Sequence, residues 1–179
     1  IRKLAPMLDG VPPARLFDEI KKLFLAGSAT TTFELLEKYG LIEHLFPDLA
    51  VALAESPQGP AAKLVRRGLA SSDERVKAEK SVTPTFLFAV LLWPAISRAY
   101  QRSGPQEGSE IQQITEVCEQ VTARQQSRIA VPKRFTLPLR EVVSLQPRFQ
   151  LRSGRRALRL LDHPRFRAAY DFLLLRAAA

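Results

Sequence analysis

Residues 86–96 have the sequence FLFAVLLWPAI, the most apolar segment of the chain, and none of the eleven is charged. The segment is shorter than the ~18 residues needed to span a membrane, but it suits a helix buried in a protein core. Pro84 can open such a helix, because the first turn tolerates a residue without a backbone N–H. Pro94 is expected to kink or end it. The segment therefore predicts a central buried helix.

Apolar residues on both sides of this segment recur every three or four positions, which is the spacing of amphipathic helices. The pattern is clearest at 16–24, 111–121, 155–161 and 166–176. No stretch alternates apolar and polar residues as a half-buried strand does. The sequence therefore predicts an all-α protein, with about eight to ten short helices in helix-turn-helix pairs.

Several helix ends can be placed from capping residues and prolines. Thr31 and Glu34 have the spacing of a capping box, and Ser109 is placed to cap the helix that follows it. The same signals predict three further boundaries: an Asp48 cap before a helix at 49–55, a new helix start at 72–74, and a short connection at 132–138 between two prolines.

The 179 residues carry a formal net charge of +9, and this charge is concentrated at one end. Residues 121–179 contain 13 Lys and Arg against 3 Asp and Glu, and 12 of the 13 are Arg. Arg pairs with phosphate through two hydrogen bonds and stacks on bases, so this excess favours a nucleic-acid partner. Docking of another domain and simple solubility are the alternatives.

The last third supplies the predicted nucleic-acid-binding residues: Lys133, Arg134, Arg152, Arg155, Arg156, Arg159, Arg165 and Arg167. In the helix at 155–161, the pattern predicts an inward face of Ala157, Leu158 and Leu161, with Leu160 beside it. Arg155 and Arg159 then lie one turn apart on the other side, where both can meet neighbouring phosphates.

Three aromatic residues near these cations are candidate stacking surfaces for bases: Phe135, Phe149 and Phe166. Each also falls on an apolar helical face, which favours a place in the core.

The sequence contains no recognisable catalytic motif. It lacks the P-loop, the dinucleotide-binding G-x-G-x-x-G and any Asp-x-Asp pair that could hold Mg²⁺. His44 has no nucleophile near it in sequence, and His163 falls in a turn before Pro164, where Asp162 is expected to cap the next helix. Cys118 lies on the apolar face of its helix and is expected to be a buried, reduced thiol. We therefore expect no catalysis by this chain alone.

Two stretches resemble a known family. The first is GVPPARLFDEI at 10–20, continued by FELL at 33–36 and GLIEHLFP at 40–47. It resembles the region that follows the catalytic head in class II nucleotidyltransferases, which are the bacterial poly(A) polymerases and the CCA-adding enzymes. The second is IAVPKRF at 129–135 with RRALRLLDHPRFRAAYD at 155–171, which is similar to the poly(A) polymerase branch in particular. The resemblance is looser at about 55–110.

The resemblance implies a modular enzyme that adds AMP from ATP to single-stranded RNA 3′ ends with Mg²⁺. A catalytic head carries the metal-binding acids, a neck recognises the adenine of ATP, and a helical body follows. Because the sequence lacks the head motifs, no catalytic residue is carried over, and ATP and Mg²⁺ are assigned to the head rather than to this chain. Residues 1–55 would be the end of the neck and the start of the body, and 56–179 the rest of the body.

The implied role of the chain is to hold RNA, in the cytoplasm, with the head as its second partner and without a membrane. The chain begins with Ile1 rather than Met, so we expect it to be a piece of a longer protein. Two alternatives stay open. The chain could be a structural scaffold whose Arg side chains pair with the head, or the body of a CCA-adding enzyme, which would prefer the shape of tRNA.

Overall fold

Helix α6, Pro84–Ser103, contains the apolar segment at 86–96 and has four main helix neighbours among the described residues. The computed structural model describes residues 1–104, 108–150 and 154–179. Every residue from Leu87 to Ile96 is buried, and α6 is contacted by α4 (Pro47–Glu55), α5 (Pro60–Lys77), α7 (Glu110–Gln126) and α8 (Lys133–Ser144). The prediction of a central buried helix is confirmed. Pro94 lies inside α6 and does not end it.

The described ranges contain ten α-helices, two 3-10 helices and no strand, which confirms the all-α prediction. The α-helices are α1 Pro13–Phe24, α2 Ala29–Lys38, α3 Ile42–Leu45, α4 Pro47–Glu55, α5 Pro60–Lys77, α6 Pro84–Ser103, α7 Glu110–Gln126, α8 Lys133–Ser144, α9 Gly154–Leu161 and α10 Phe166–Ala177. A 3-10 helix at Arg2–Gly10 precedes them, and a second, Pro147–Gln150, lies between α8 and α9.

Helix α2 is capped by a residue distant in sequence. The Asp73 carboxylate accepts hydrogen bonds from the backbone N–H groups of Ala29, at 2.6 Å, and of Thr30, at 3.0 Å. The predicted capping box at Thr31 is therefore wrong, since α2 begins two residues earlier. The predicted new start at 72–74 is also wrong, because α5 is continuous there and Asp73 is turned toward α2.

Removing this cap tests its contribution to stability. Asp73→Ala leaves two N–H groups at the start of α2 without a partner, and Asp73 is only 8% exposed. We expect the free energy of unfolding to fall by about 1–2 kcal/mol, measured by urea denaturation. Glu74→Ala, at an exposed neighbour on the same helix, should change it by less than about 0.5 kcal/mol. Equal losses in the two variants would contradict the capping role.

Two other predicted boundaries are also corrected. Asp48 lies within the first turn of α4 and not before it, because Pro47 takes the first helical position and Asp48 pairs with Arg124 of α7 at 2.8 Å. The predicted connection at 132–138 is mostly helical, since α8 begins at Lys133 and includes Pro138. The cap at Ser109 is confirmed, and it forms a reciprocal capping box with Gln112.

Buried residues from α1 through α10 form one hydrophobic cluster. Buried polar side chains in this core are hydrogen-bonded to backbone, as when the Gln125 amide donates to the Leu45 carbonyl at 2.8 Å. Gln146 likewise links α8 to α10 by donating to the Ala169 carbonyl at 3.1 Å. The bond from Gln146 helps to fix the position of α10, which carries part of the candidate site.

Candidate nucleic-acid interface

Many Arg side chains of the described structure are occupied in holding helices together. Arg98 and Arg102 of α6 both bind the Glu55 carboxylate of α4, at 2.6 and 2.8 Å. Further pairs between elements are Arg124 with Asp48, Arg128 with Asp9 and Arg140 with Glu119. These guanidinium groups already have a carboxylate partner, so they are poor candidates for binding phosphate.

A second group of cations has no carboxylate partner among the residues that the structure describes: Lys133, Arg134, Arg148, Arg155 and Arg159. All five side chains are exposed and all lie in the last third of the chain. Four of them are predicted binding residues, and Arg148 was not singled out by the sequence pattern. The Arg134 guanidinium lies 4.9 Å from the centre of the Phe135 ring, which orients it without neutralising its charge.

The other predicted cations differ in their surroundings. Arg165 pairs with Glu141 of α8 at 3.0 Å, and Arg167 pairs with Asp171 one turn along α10 at 3.1 Å. Both have a carboxylate partner, as the Arg side chains of the first group do, so they are weaker candidates for phosphate than the predicted cations without one. Arg152 and the side chain of Arg156 lie outside the described residues.

The predicted inward face of α9 is wrong by part of a turn. Leu160 is buried at 6% exposure, whereas Leu158 and Leu161 are 64% and 57% exposed. Among the described residues, helix α9 packs mainly against the second 3-10 helix. Arg155 and Arg159 are exposed as expected, so the open face of α9 combines positive charge with apolar surface.

Among the described residues, the last two helices pack chiefly against different elements. Helix α10 packs chiefly against α8 and α5, while α9 packs against the second 3-10 helix. The pair of Arg165 with Glu141 places one predicted cation of α10 beside α8, the helix that carries Lys133 and Arg134 at its start.

An aromatic cluster joins α10 to the second 3-10 helix. The rings of Phe149, Phe166 and Tyr170 lie 5.7–6.1 Å apart between centres, and Phe166 and Tyr170 are stacked at 17°. Phe149 and Phe166 are half-buried against the core, whereas Tyr170 is 40% exposed. The exposed stacking surface is therefore Tyr170, which the sequence pattern did not single out although it follows Phe166 by one helical turn. Phe135 packs on Phe17 at 5.8 Å and belongs to the edge of the core.

The contacts and burial of Cys118 and of the two His residues indicate structural roles for them. Cys118 is buried as predicted, and this burial raises the pKa of its thiol to about 11. The His44 ring lies 3.1 Å from the Asp9 carboxylate, and this hydrogen bond, with the nearby Arg128, lowers the pKa of Asp9. The Nδ1 atom of His163 accepts a hydrogen bond from the backbone N–H of Arg165 at 3.0 Å, next to the start of α10. The predicted cap from Asp162 at this place is therefore wrong.

Two family models match the chain outside its middle. Residues 1–53 match a model described as "Probable RNA and SrmB- binding site of polymerase A", and residues 106–179 match "Polymerase A arginine-rich C-terminus". Proteins named "Poly(A) polymerase I" match 99% of the chain: those of Escherichia coli O6:H1 and Haemophilus influenzae are 36% identical to it, and that of Salmonella typhi is 35% identical. The chain belongs to the bacterial poly(A) polymerase family.

This membership agrees with the resemblance of the two quoted stretches and with its looser middle. The Arg-rich third, 121–179, falls within the model named for its arginine content, and residues 54–105 lie between the two matches. The chain spans 38–39% of the length of these poly(A) polymerase relatives. No helix in the described ranges is both long enough and apolar enough to cross a membrane.

Proposed function

We propose that this chain holds RNA for a bacterial poly(A) polymerase, and that the whole protein adds AMP from ATP to single-stranded RNA 3′ ends. The observation that carries this proposal is the division of the cations into two groups. One group is made of paired Arg side chains that tie α4, α6, α7 and α8 together. The other is made of five exposed cations of the last third that have no carboxylate partner among the described residues: Lys133, Arg134, Arg148, Arg155 and Arg159. Exposed, unpaired cations neutralise phosphates without reading sequence, as tailing of many different RNAs requires.

The exposed ring of Tyr170 adds a surface for bases. Phe166 supports one side of Tyr170, Arg167 is on the same helix, and Arg165 directly precedes it. Stacking on an aromatic ring is tolerant of sequence, because every base has a flat face. Phosphate contacts with stacking at intervals suit a single strand better than a duplex. Bacterial RNA of this kind lies in the cytoplasm, which is the location that we propose.

ATP and Mg²⁺ are assigned to a catalytic head outside this chain. The described residues contain no group of three or more His, Cys, Asp or Glu placed to hold a metal ion. The donor set does not fit a catalytic metal, so no step of the reaction is derived for these residues. The role proposed for the chain is to bind the strand and hold its position relative to the head.

The isolated chain is therefore expected to be inactive. Incubated with ATP, Mg²⁺ and an oligonucleotide, the purified chain should incorporate no AMP, because it has no carboxylate pair for the metal. Gel analysis with labelled ATP measures this, and a full-length bacterial poly(A) polymerase serves as the positive control. Incorporation that follows the chain through several purification steps would contradict the assignment.

A structural scaffold is the second candidate, and one observation favours it. The open face of α9 carries exposed Leu158 and Leu161 beside Arg155 and Arg159, and an apolar surface with flanking cations also suits an acidic protein surface. The body of a CCA-adding enzyme is the third. Competition between tRNA and oligo(A) separates that role from poly(A) addition, since a CCA-adding body should prefer tRNA.

A further inference from the structure

A cavity of about 470 Å³ lies between the end of α5, the segment at 81–86 and α10. Its walls are mostly apolar and include Val82, Phe86 and Leu175. Arg75 and Asp171 also line it. Ligand cavities commonly have this volume and this combination of an apolar lining with a few polar groups. None of its polar groups is used by the contacts proposed above for phosphate.

The two charged groups of the cavity have opposite hydrogen-bonding capacity. Asp171 only accepts hydrogen bonds, and Arg75 only donates them. Each is held by a weak contact: Arg75 donates to the Ser81 carbonyl at 3.3 Å, and Asp171 accepts from Arg167 at 3.1 Å. The Arg167 side chain is 87% exposed, so a ligand that offers a better donor can take its place.

We propose that this cavity binds a nucleobase that carries an exocyclic amino group, namely adenine, cytosine or guanine. The amino group donates to Asp171, and an acceptor on the same base, a ring nitrogen or a carbonyl oxygen, accepts from Arg75. Apolar contact with Phe86 and Leu175 covers the flat face. Uracil fits poorly, because its ring N–H lies between two carbonyl oxygens that repel a carboxylate. For a base that is part of an RNA strand, this inference rests on the proposed function.

The position of the cavity on α10 agrees with a bound strand. Asp171 directly follows Tyr170, and successive residues of a helix point about 100° apart. Arg167, one turn before Asp171, lies between these two directions. A strand whose base stacks on Tyr170 therefore passes Arg167 and can place a neighbouring base in the cavity.

Two variants test the cavity in different ways. Ala168→Leu fills it from an exposed lining position without a change of charge, and Asp171→Ala removes the acceptor. The measurement is the ratio of affinities for oligo(A) and oligo(U) of equal length at one salt concentration. We expect the unmodified chain to prefer oligo(A) about tenfold and both variants to reduce this ratio to about twofold or less.

The matched control is Asp162→Ala, which removes an exposed acid of the same region outside the cavity. This control variant should raise the affinity for both strands slightly and leave the ratio of the affinities for oligo(A) and oligo(U) unchanged. Asp171→Ala should also retain or raise the affinity for oligo(U), because the negative charge is lost. Thermal unfolding of each variant checks that it is folded. One cavity variant changes the volume and the other removes the acceptor, so if one of them fails to fold, the other still tests the cavity.

A second measurement distinguishes a strand from a free nucleotide. Methyl resonances of Val82, Leu174 and Leu175 are followed during titration with AMP and with UMP, and we expect shifts with AMP only. Shifts with AMP but an unchanged strand ratio would assign the cavity to a free nucleotide. An unchanged ratio without shifts overturns the proposal, while RNA affinity that still depends on salt leaves the proposed function standing. If no RNA binds at all, the proposed function fails and the AMP titration alone decides the cavity.

Discussion

Replacing Arg155 and Arg159 with alanine is expected to lower the affinity for single-stranded RNA roughly 10- to 30-fold at 0.1 M salt. Both side chains are exposed, and neither has a carboxylate partner among the residues that the structure describes. Each lost phosphate contact should reduce the slope of log affinity against log salt by about 0.7, or about 1.4 for the pair. Adding Arg156→Ala should bring the change to about 2. Because phosphate contacts carry no sequence information, oligo(A) and a mixed-sequence strand should be affected alike.

The matched control for this experiment is the double variant Lys63→Ala and Arg67→Ala. These two cations are also exposed, four residues apart on one helix, and removing them changes the net charge equally. Fluorescence anisotropy at several salt concentrations should show a much smaller effect of this control than of the α9 variant. If the two double variants behave alike, only the overall charge matters. If the α9 variant keeps both affinity and slope, docking of the head becomes the better explanation of the open face of α9.

Leu91→Ala is expected to lower the free energy of unfolding by about 2–5 kcal/mol. Leu91 is fully buried in α6, and α4, α5, α7 and α8 all pack against this helix. The surrounding side chains are held by several helices at once, so they can fill only part of the space that the lost methyl groups leave. Urea denaturation followed by circular dichroism measures the loss.

Leu35→Ala serves as the control for size and helix propensity. Leu35 lies within α2, like Leu91 within α6, but its side chain is 46% exposed. The same truncation should cost less than about 1 kcal/mol there, because little apolar surface is removed from a packed environment. A loss below about 0.5 kcal/mol for Leu91→Ala would mean that α6 is not the centre of the core.

The burial of α6 could be predicted because an uncharged run leaves a helix no polar side to expose. The cap at Ser109 could be predicted because its partner, Gln112, lies within the same turn. The family could also be predicted from the sequence, because the resemblance rests on contiguous stretches of residues. In each case the information is contained in neighbouring residues, and no knowledge of the packing is needed.

The candidate site could be predicted less fully than the fold, because more of it depends on the tertiary structure. The charge pattern located the Arg excess, but it could not separate Arg140, which is paired with Glu119, from Arg155, which has no carboxylate partner among the described residues. Helical periodicity placed Leu158 inward, because it cannot tell which side of a short amphipathic helix has a neighbour. Tyr170 and the cavity beside Asp171 were not predicted at all, since both depend on how α10 packs against α5 and α8.

The helical class, the buried central helix, the family and the location of the positive charge can all be read from the order of residues along the chain. Which charges are neutralised and which surfaces stay open depends on how the helices pack. Asp73 shows the physical reason: its carboxylate caps a helix 44 residues away, so its role depends on a partner that only folding brings near. Local patterns are fixed by the geometry of one helical turn, whereas pairing, exposure and cavities depend on distances between distant parts of the chain.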